Sequence, residues 1–451
     1  MNQYLKAKQF LYSLIHLPKP PRYHQGVGLR RMEELFFKLN QPCQNGQFIH
    51  IAGTSGKGST AIILHTILAE AGSKTASFTS PHLTTPLERF QINGRLMPPS
   101  DFVRLLKKLT PLLNQMSSKN PFGPPSYFEV LWALGLLWFE EQKPDWIVTE
   151  AGIGGLLDAT NIITPKLTII TEISFDHTAL LGRTLSEIAL QKAGVIKPNI
   201  PTLSAHQNKK VLSLLQKRAA KVGSKLEWHG HHFQTRLIKA TSQGSRFVYQ
   251  DESGKAEFTL SLVGEHQIKN AALAIRASHL LGIPDKVIQK ALQKVFLPAR
   301  LEVISQNPTI ILDGAHNPAK IKTTIEALSF FSYQKIRLIL AILQTKDIKN
   351  IVRQLPKKID KIYITQVDST GHQPANPLFI HQICQQYGLK SEIQLWPELA
   401  LEQAISESKK EDLILVTGSF YLTGRLREQW WPEESIVGQY TLRLEDSTQG
   451  K

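Results

Sequence analysis

The sequence predicts an α/β protein with two domains, each built on a mostly parallel sheet. Apolar strand-like runs at 48–52, 145–150 and 166–171 alternate with amphipathic helical stretches, which is the rhythm of βαβ units. A second alternation of the same kind begins at 309. In addition, 451 residues exceed the size at which one hydrophobic core usually suffices.

The two alternations meet near Leu297–Arg300, where Pro298 interrupts a helical pattern. We therefore expect domains at 1–297 and 298–451. Alternating and turn-forming residues at 225–262 predict a small antiparallel excursion within the first domain. The last residues, about fifteen of them, read as a polar tail.

Composition narrows the class of protein. The net charge is +16, from 53 Lys and Arg against 37 Asp and Glu, and the basic residues are scattered. This distribution favours anionic small-molecule substrates over nucleic acid. Only Cys43 and Cys384 occur, without metal-ligand spacing, so we expect a reduced, cytoplasmic protein without zinc. The longest apolar run, at 130–139, is too short to span a bilayer and predicts a buried core helix rather than a membrane anchor.

A candidate phosphate-binding loop, "HIAGTSGKGSTA", occupies residues 50–61 between a strand and an apolar helical pattern. Glycines in such a loop let backbone N–H groups face phosphate oxygens, and the helix N-terminus adds positive potential. Lys57 would reach the terminal phosphates of a nucleotide, while Ser59 or Thr60 would offer a hydroxyl to Mg²⁺.

The spacing of this loop is unusual. Only Thr54 and Ser55 separate Gly53 from Gly56, and Gly58 intervenes before the hydroxyl residue. The alternative is a glycine turn that merely caps a helix. A strand, a lysine and two hydroxyls together favour phosphate binding.

Several polar residues follow other strands. Glu150 ends a buried strand, and Ser80 follows another, so the two offer the hard oxygen ligands that Mg²⁺ prefers. A solvated sheet edge and a helix cap are their alternatives. Asp176 and His177 lie in a further loop, where a single histidine is more often structural. Lys192, late in a helix, could simply favour the helix C-terminus.

The second domain has its own polar loop, "LDGAHNP" at 312–318. Asp313 ends a strand, His316 and Asn317 occupy the turn, and Pro318 begins a helix at a position that tolerates proline. Because ligands bind at the carboxyl ends of strands in open α/β sheets, we expect the active site in a cleft between the domains.

Together these motifs resemble the folylpolyglutamate synthase/dihydrofolate synthase family of Mur-type ATP-dependent amide ligases. The resemblance rests on "HQGVGLRRM", "HIAGTSGKGST", "SYFEV", "EAGIGGLLDATN", "DHTALLGRTLSEIALQKAGVIKP", "GEHQIKNAALAI", "LPARLEV", "LDGAHNP" and "VTGSFYL". It implies a P-loop Mur-ligase-type ATPase domain with a parallel-rich sheet and a smaller Rossmann-like C-terminal α/β domain. It also implies that ATP activates a carboxylate as an acyl phosphate, which L-glutamate then attacks. The acceptor would be dihydropteroate, the glutamate tail of reduced folates, or both.

The resemblance also assigns roles to residues. ATP would contact Gly53, Thr54, Gly56, Lys57, Gly58, Ser59, Thr60, Asn270, Arg300 and Asp313. Two Mg²⁺ ions would contact Ser59, Ser80, Glu150 and His177. The pterin-containing substrate would contact Gly28, Leu29, Ser126, Tyr127, Phe128, Glu129, Leu157, Asp158 and Ala159. His316 and Ser419 would hold the incoming amino acid. Lys57, Lys192 and His316 would be catalytic, with Lys192 at the position of a carbamylated lysine.

Two departures and two alternatives accompany this resemblance. The family usually has Asn at Ser55 and often Arg at Leu156, and the second difference bears on substrate preference. One alternative is another Mur-type ligase, but only about fifty residues precede the phosphate loop, which leaves no room for a nucleotide-sugar-binding domain. The other is a P-loop ATPase acting with nucleic acid. The family leads us to expect a monomer.

Overall fold

The computed structural model describes residues 1–15, 23, 25–368, 371 and 373–442. His24, which begins the motif "HQGVGLRRM", lies outside the described residues. Throughout the described ranges, no helix combines the length and the apolar character that crossing a bilayer requires.

The first domain is built on an eight-stranded sheet. Its strands are β1 (Phe48–Ala52), β2 (Thr75–Phe78), β3 (Phe90–Ile92), β4 (Arg95–Leu96), β5 (Trp146–Glu150), β6 (Leu167–Ile170), β7 (Thr202–Ser204) and β8 (Leu226–Trp228). The spatial order is β4-β3-β2-β5-β1-β6-β7-β8, and every pair from β2 to β8 is parallel. All five residues of the central strand β1 are buried, as expected of a strand covered by helices on both faces.

Helices cover this sheet. They are α1 (Asn2–Ser13), α2 (Val27–Lys38), α3 (Lys57–Glu70), α4 (Pro99–Lys119), α5 (Tyr127–Gln142), α6 (Thr178–Leu181), α7 (Leu185–Ala193) and α8 (Lys209–Lys221). The apolar run at 130–139 lies within α5 and is buried in the core, which confirms the predicted core helix.

The antiparallel excursion is also confirmed, as a three-stranded sheet of β9 (Phe233–Thr241), β10 (Gly244–Asp251) and β11 (Gly254–Leu260). Two helices follow, α9 (Glu265–Leu280) and α10 (Asp285–Leu292). Because α10 has already ended at Leu292, the expectation that Pro298 interrupts a helix is wrong. The segment 293–301, between α10 and the sheet of the second domain, is irregular.

The second domain has a six-stranded sheet in the order β12-β13-β17-β14-β15-β16. Its strands are β12 (Glu302–Ser305), β13 (Thr309–Leu312), β14 (Ile336–Leu340), β15 (Ile359–Ile364), β16 (Ser391–Ile393) and β17 (Leu413–Thr417). Only the β12–β13 pair is antiparallel. The helices are α11 (Pro318–Ala327), α12 (Ile348–Arg353), α13 (Pro377–Gln386), α14 (Pro397–Ser406) and α15 (Phe420–Arg427). The two-domain α/β fold predicted from the sequence is confirmed.

The chain then returns to the first domain through α16 (Glu433–Gln439). Ile436 and Val437 are buried in the same core as α5, and Glu433 pairs with Lys8 of α1 at 2.6 Å. The backbone N–H of Leu96 donates to the carbonyl of Tyr440 at 2.8 Å. The prediction of a polar tail is therefore wrong for the start of that segment, because the apolar face of α16 docks on the first domain. Residues 443–451 lie outside the described ranges.

Candidate active site

The phosphate-binding loop joins β1 to α3 as the sequence predicts. Gly56 precedes α3 with φ 87°, a left-handed conformation in which a side chain is strained, and a Cβ there would collide with Asn270. A Cβ at Gly53 would likewise collide with Thr171. The glycines thus allow close approach of other elements, and Asn270 of α9 lies beside the loop, as expected of a residue at the same site.

Glu150 and Lys57 meet at the carboxyl end of the sheet. The Nζ of Lys57 lies 3.6 Å from a carboxylate oxygen of Glu150, and the backbone N–H of Ser80 donates to the other oxygen at 2.9 Å. Desolvation raises the pKa of Glu150, which is 3% exposed, while the charge of Lys57 and the Ser80 N–H oppose that rise. Three residues predicted from separate motifs therefore share one contact network.

Lys192 reaches the same loop from α7. Its ammonium donates to the carbonyl of Gly53 at 2.6 Å, and its side chain is buried. Burial, followed by repulsion from the charge of Lys57, lowers the pKa of Lys192 to about 7. His177 lies within electrostatic reach of both lysines. The buried amine of Lys192 is therefore neutral in a large fraction of molecules near neutral pH.

Across the cleft, Asp313 organises the second domain's loop. Its carboxylate accepts hydrogen bonds from the N–H groups of Leu301 and Ala315, each at 3.0 Å, and from the hydroxyl of Thr324 at 2.7 Å. Desolvation raises the pKa of Asp313, and the charge of Arg300 opposes it. These contacts fix the backbone on which Arg300 stands.

His316 lies next to this network. Assigning the proton to Nδ1, which donates to the carbonyl of Gly314 at 2.8 Å, leaves Nε2 to accept from the ammonium of Lys320 at 3.2 Å. The ring of Phe420 contacts both the imidazole, at 5.6 Å between centroids, and the guanidinium of Arg300, at 4.4 Å. Ser419, the residue before Phe420, caps α15 by accepting from the N–H of Tyr421 at 3.1 Å. Phe420 thus links three residues that the sequence predicts to be functional.

An ion pair crosses the cleft between the domains. Lys346, which precedes α12, lies 3.5 Å from Asp176 of the loop before α6. Although burial opposes it, electrostatic interaction with His177 and Lys346 lowers the pKa of Asp176 well below its usual range. This ion pair therefore ties the loop before α6 in the first domain to the segment before α12 in the second.

The residues expected around a pterin form a separate contact network. Arg31 of α2 holds the carboxylate of Glu129 through two hydrogen bonds of 2.5 and 2.6 Å, and Ser126 forms a capping box with Glu129. The carboxylate of Asp158 accepts hydrogen bonds from the N–H groups of Ile153 and Thr160, at 2.8 and 3.0 Å, and from the hydroxyl of Thr160. The carboxylates of Glu129 and Asp158 are therefore bonded to neighbouring protein groups, and their more direct role is to position the backbone.

The surrounding segments enclose this region. A Cβ at Gly28 would lie 3.3 Å from Glu129, and a Cβ at Gly26 would lie 3.3 Å from Leu157, so the start of α2 packs on both segments. Helix α2, which includes Leu29, also contacts the turn Ala159–Ile162. Phe128 lies against Gly152, and Arg89 lies 5.6 Å from the ring of Tyr127. The adjacent cavity of about 500 Å³ is lined by Gln25, Val27, Arg30, Pro121 and Phe122.

Sequence reasoning did not identify Lys320, Lys346, Phe420 or Arg31 as part of the cleft and its neighbourhood. Lys320 stands two residues after "LDGAHNP", and Phe420 stands within "VTGSFYL", so both adjoin motifs. Arg31 also stands within a motif, "HQGVGLRRM", whereas Lys346 carries no such signal because its position depends on how the domains pack. A lysine in the first turn of α11 could have indicated a functional residue from the sequence, because a cation there is disfavoured by the helix dipole.

The oxygen ligands near the phosphate loop suit Mg²⁺ if substrate phosphates complete its coordination. Within the residues described, no group of three or more His, Cys, Asp and Glu side chains could hold a metal by itself. Glu150 is nevertheless a buried carboxylate beside a phosphate-type loop, and Ser59 is buried in the first turn of α3. Because Mg²⁺ usually takes one or two protein carboxylates plus substrate phosphates and waters, these residues fit that ion.

Comparison with known proteins identifies the family. The model of the Mur ligase middle domain matches residues 116–278, and that of the Mur ligase glutamate ligase domain matches residues 299–420. The dihydrofolate synthase/folylpolyglutamate synthase of Bacillus subtilis is 30% identical over 418 residues, which cover 89% of this chain and 94% of the relative. The chain belongs to the folylpolyglutamate synthase/dihydrofolate synthase family.

Solved structures of this family share the fold over nearly the whole chain. The folylpolyglutamate synthase of Thermotoga maritima is 30% identical with a TM-score of 0.81, covering 96% of this chain and 98% of that one. The folylpolyglutamate synthase of Mycobacterium tuberculosis complexed with ADP and AMPPCP is 26% identical with a TM-score of 0.86, covering 96% and 99%. As a member of the folylpolyglutamate synthase/dihydrofolate synthase family, the chain is an ATP-dependent amide ligase of the Mur type.

Proposed function

We propose that this ligase joins L-glutamate to dihydropteroate, to the glutamate tail of reduced folates, or to both. The single observation that carries the proposal is the cleft in which Lys57 and Glu150 of the first domain lie within electrostatic reach of Lys320 and Arg300 of the second. Such a cleft brings a nucleotide, a carboxylate and an amine together. The relatives named above supply the substrate class.

The chemistry follows from the poor leaving ability of a carboxylate oxygen. The γ-phosphoryl group of ATP passes to the acceptor carboxylate, with ADP leaving, and gives an acyl phosphate. The amine of glutamate attacks the acyl carbon, phosphate leaves, and the amine loses a proton. Lys57 and the N-terminus of α3 stabilise charge on the phosphoryl group by position and electrostatics. Closing the cleft excludes water that would hydrolyse the acyl phosphate.

The nucleotide contacts in this proposal are those that the family resemblance assigns. The phosphates lie against Gly53, Thr54 and Gly56–Thr60, while Asn270, Arg300 and Asp313 serve the rest of the nucleotide. Asn270 beside Gly56, and Arg300 on the backbone that Asp313 fixes, support the assignment. The pterin lies near Gly28, Leu29, Ser126–Glu129 and Leu157–Ala159, and the amino acid near His316 and Ser419.

Magnesium would be held by Ser59, Ser80, Glu150 and His177 in two places. When bound, Mg²⁺ neutralises charge on the phosphates and polarises the transferring group. The buried carboxylate of Glu150, already opposed by Lys57, supports one of these places.

We also propose that Lys192 is carbamylated. Carbon dioxide adds to a neutral amine, forms an N–C bond and releases a proton, which turns a cation into an anion. A pKa of about 7 makes the amine available for that step, and the neighbouring charge of Lys57 stabilises the anion formed. The carbamate would then face the second magnesium ion together with His177.

The test is an assay of the purified chain with ATP, glutamate and each acceptor in turn. We expect ADP and phosphate release that requires glutamate together with dihydropteroate or a reduced folate. Gel filtration should give a monomer. ATP turnover that responds to DNA or RNA but ignores folates and glutamate would contradict the proposal.

A further inference from the structure

Lys320 stands where a cation does not help its helix. It occupies the first turn of α11, which contains no acidic residue, and its backbone N–H is capped by the side chain of Asn317 at 2.9 Å. The helix dipole presents positive potential at this end, so an ammonium group here is disfavoured by helix electrostatics. Its position therefore needs a reason outside the helix.

The neighbours of Lys320 do not neutralise it. Among the described residues, no carboxylate lies within 4.0 Å of its Nζ, and its hydrogen bond goes to the imidazole of His316 at 3.2 Å. The charged groups that face it are Arg300 from the interdomain segment, Lys57 from α3, Lys346 before α12 and Asp176 before α6. The one anion among these, Asp176, already pairs with Lys346. Desolvation, followed by repulsion from Arg300, lowers the pKa of Lys320 to about 7.

We propose that Lys320 binds a carboxylate of the incoming glutamate and so acts as a specificity-determining residue. The inference rests on the proposed function. A partly buried cation that lacks a counter-ion is costly, and an anionic ligand removes that cost by forming a charge-assisted hydrogen bond. The His316 side of the cleft supplies this cation, whereas Lys57 already serves the phosphate loop. His316 then holds Lys320 in place as a hydrogen-bond acceptor.

The experiment measures KM for glutamate and for ATP between pH 6 and 9 in the wild-type chain, Lys320→Met and Lys320→Arg. We expect Lys320→Met to raise KM for glutamate about 30-fold or more at pH 6.5, with KM for ATP changed less than about twofold. Lys322→Met is the matched control, because Lys322 lies on the same helix with its side chain 64% exposed, and it should leave both values unchanged.

The pH dependence separates binding from a structural role. Only the protonated form of Lys320 attracts a carboxylate, so wild-type KM for glutamate should rise as pH increases through about 7. Lys320→Arg should keep KM low and flat, because a guanidinium stays charged. A structural role would lower the melting temperature without altering this profile.

Three outcomes would overturn the inference. They are an unchanged KM for glutamate in Lys320→Met, a rise confined to KM for ATP, which would identify the anion as a phosphate, and a wild-type pH profile that Lys320→Arg leaves as it is. Failure of the proposed function is distinguishable, because the wild-type chain would then show no glutamate-dependent ATP turnover at all.

Discussion

The two walls of the cleft differ in how their charges are satisfied. On the phosphate-loop wall, formed by 53–60, Ser80, Glu150 and Lys192, each lysine has an oxygen partner: Lys57 faces Glu150, and Lys192 donates to Gly53. On the His316 wall, formed by Arg300, Asp313, His316, Lys320 and Phe420, the carboxylate is fully engaged by N–H and hydroxyl groups. The hydrogen-bond partner of the cation Lys320 there is the neutral ring of His316.

This difference indicates which wall has its charges arranged before a ligand binds. Fixed partners keep the phosphate-loop wall in one arrangement before any ligand arrives, and preorganised charge of that kind is what stabilises a transferring phosphoryl group. The His316 wall keeps an excess of positive charge, which we propose an anionic substrate neutralises. We therefore expect changes at Lys57 and Lys192 on the first wall to affect turnover, and changes at His316 and Lys320 on the second to affect binding of the amino acid.

The largest expected effect is on the phosphate-loop wall. Lys57→Ala should lower kcat about 10³-fold, because a donor aimed at the transferring group is lost. The free energy of unfolding should change by less than about 1 kcal/mol, since Glu150 can take up a proton in place of its partner. Steady-state kinetics and thermal unfolding check both statements. The exposed Lys290→Ala serves as control, and near-normal kcat in Lys57→Ala would remove the phosphate-binding role.

On the opposite wall, His316→Ala should raise KM for glutamate about 10- to 100-fold while leaving KM for ATP unchanged. The variant loses the acceptor that holds Lys320 and the ring that packs on Phe420. His381→Ala is the matched control, because His381 lies in α13 of the second domain and bonds Ser391 and Gln385. If KM for ATP rises instead, the two walls have been assigned the wrong ligands.

A third prediction concerns carbamylation of Lys192, which would change the charge of the phosphate-loop wall. With a pKa of about 7, its amine is mostly neutral at pH 8 and about one-tenth neutral at pH 6. At equal concentrations of dissolved carbon dioxide, depleted enzyme should therefore regain activity about tenfold faster at pH 8 than at pH 6. Intact-protein mass spectrometry should show the mass of one added carbon dioxide, absent in Lys192→Met. Unmodified Lys192 in fully active enzyme would contradict the carbamate.

The phosphate-loop wall was easier to predict from the sequence than the His316 wall. Its glycines, Lys57 and Glu150 follow strands directly, and neighbouring parallel strands place their carboxyl ends together. Position along the chain therefore translates into position in space. The fold class, core helix α5 and the antiparallel excursion follow from periodicity for the same reason.

The remaining features depend on packing between distant segments. Lys346 meets Asp176 only after the domains dock, and no local pattern encodes that distance. The docking of Ile436 and Val437 against the first domain is of the same kind, because a short helix with two buried residues has too little periodicity to stand out in a polar sequence.

The smallest expected effects compare one buried hydroxyl on each wall. Thr54 exchanges hydrogen bonds with the backbone of Ser174 at 3.0 and 3.1 Å, and Thr324 donates to Asp313 at 2.7 Å. Thr54→Val and Thr324→Val should each lower the free energy of unfolding by about 1–2 kcal/mol, because each leaves buried partners without a hydrogen bond. Thr324→Val should also raise KM for ATP about two- to threefold, since Asp313 fixes the backbone beside Arg300 through Leu301. Thr54→Val should instead act on kcat, because Thr54 lies in the phosphate loop. Urea unfolding and ATP kinetics measure both quantities. Equal kinetic effects in the two variants would mean that Asp313 does not hold Arg300 in position. The two walls would then differ only in how their charges are paired.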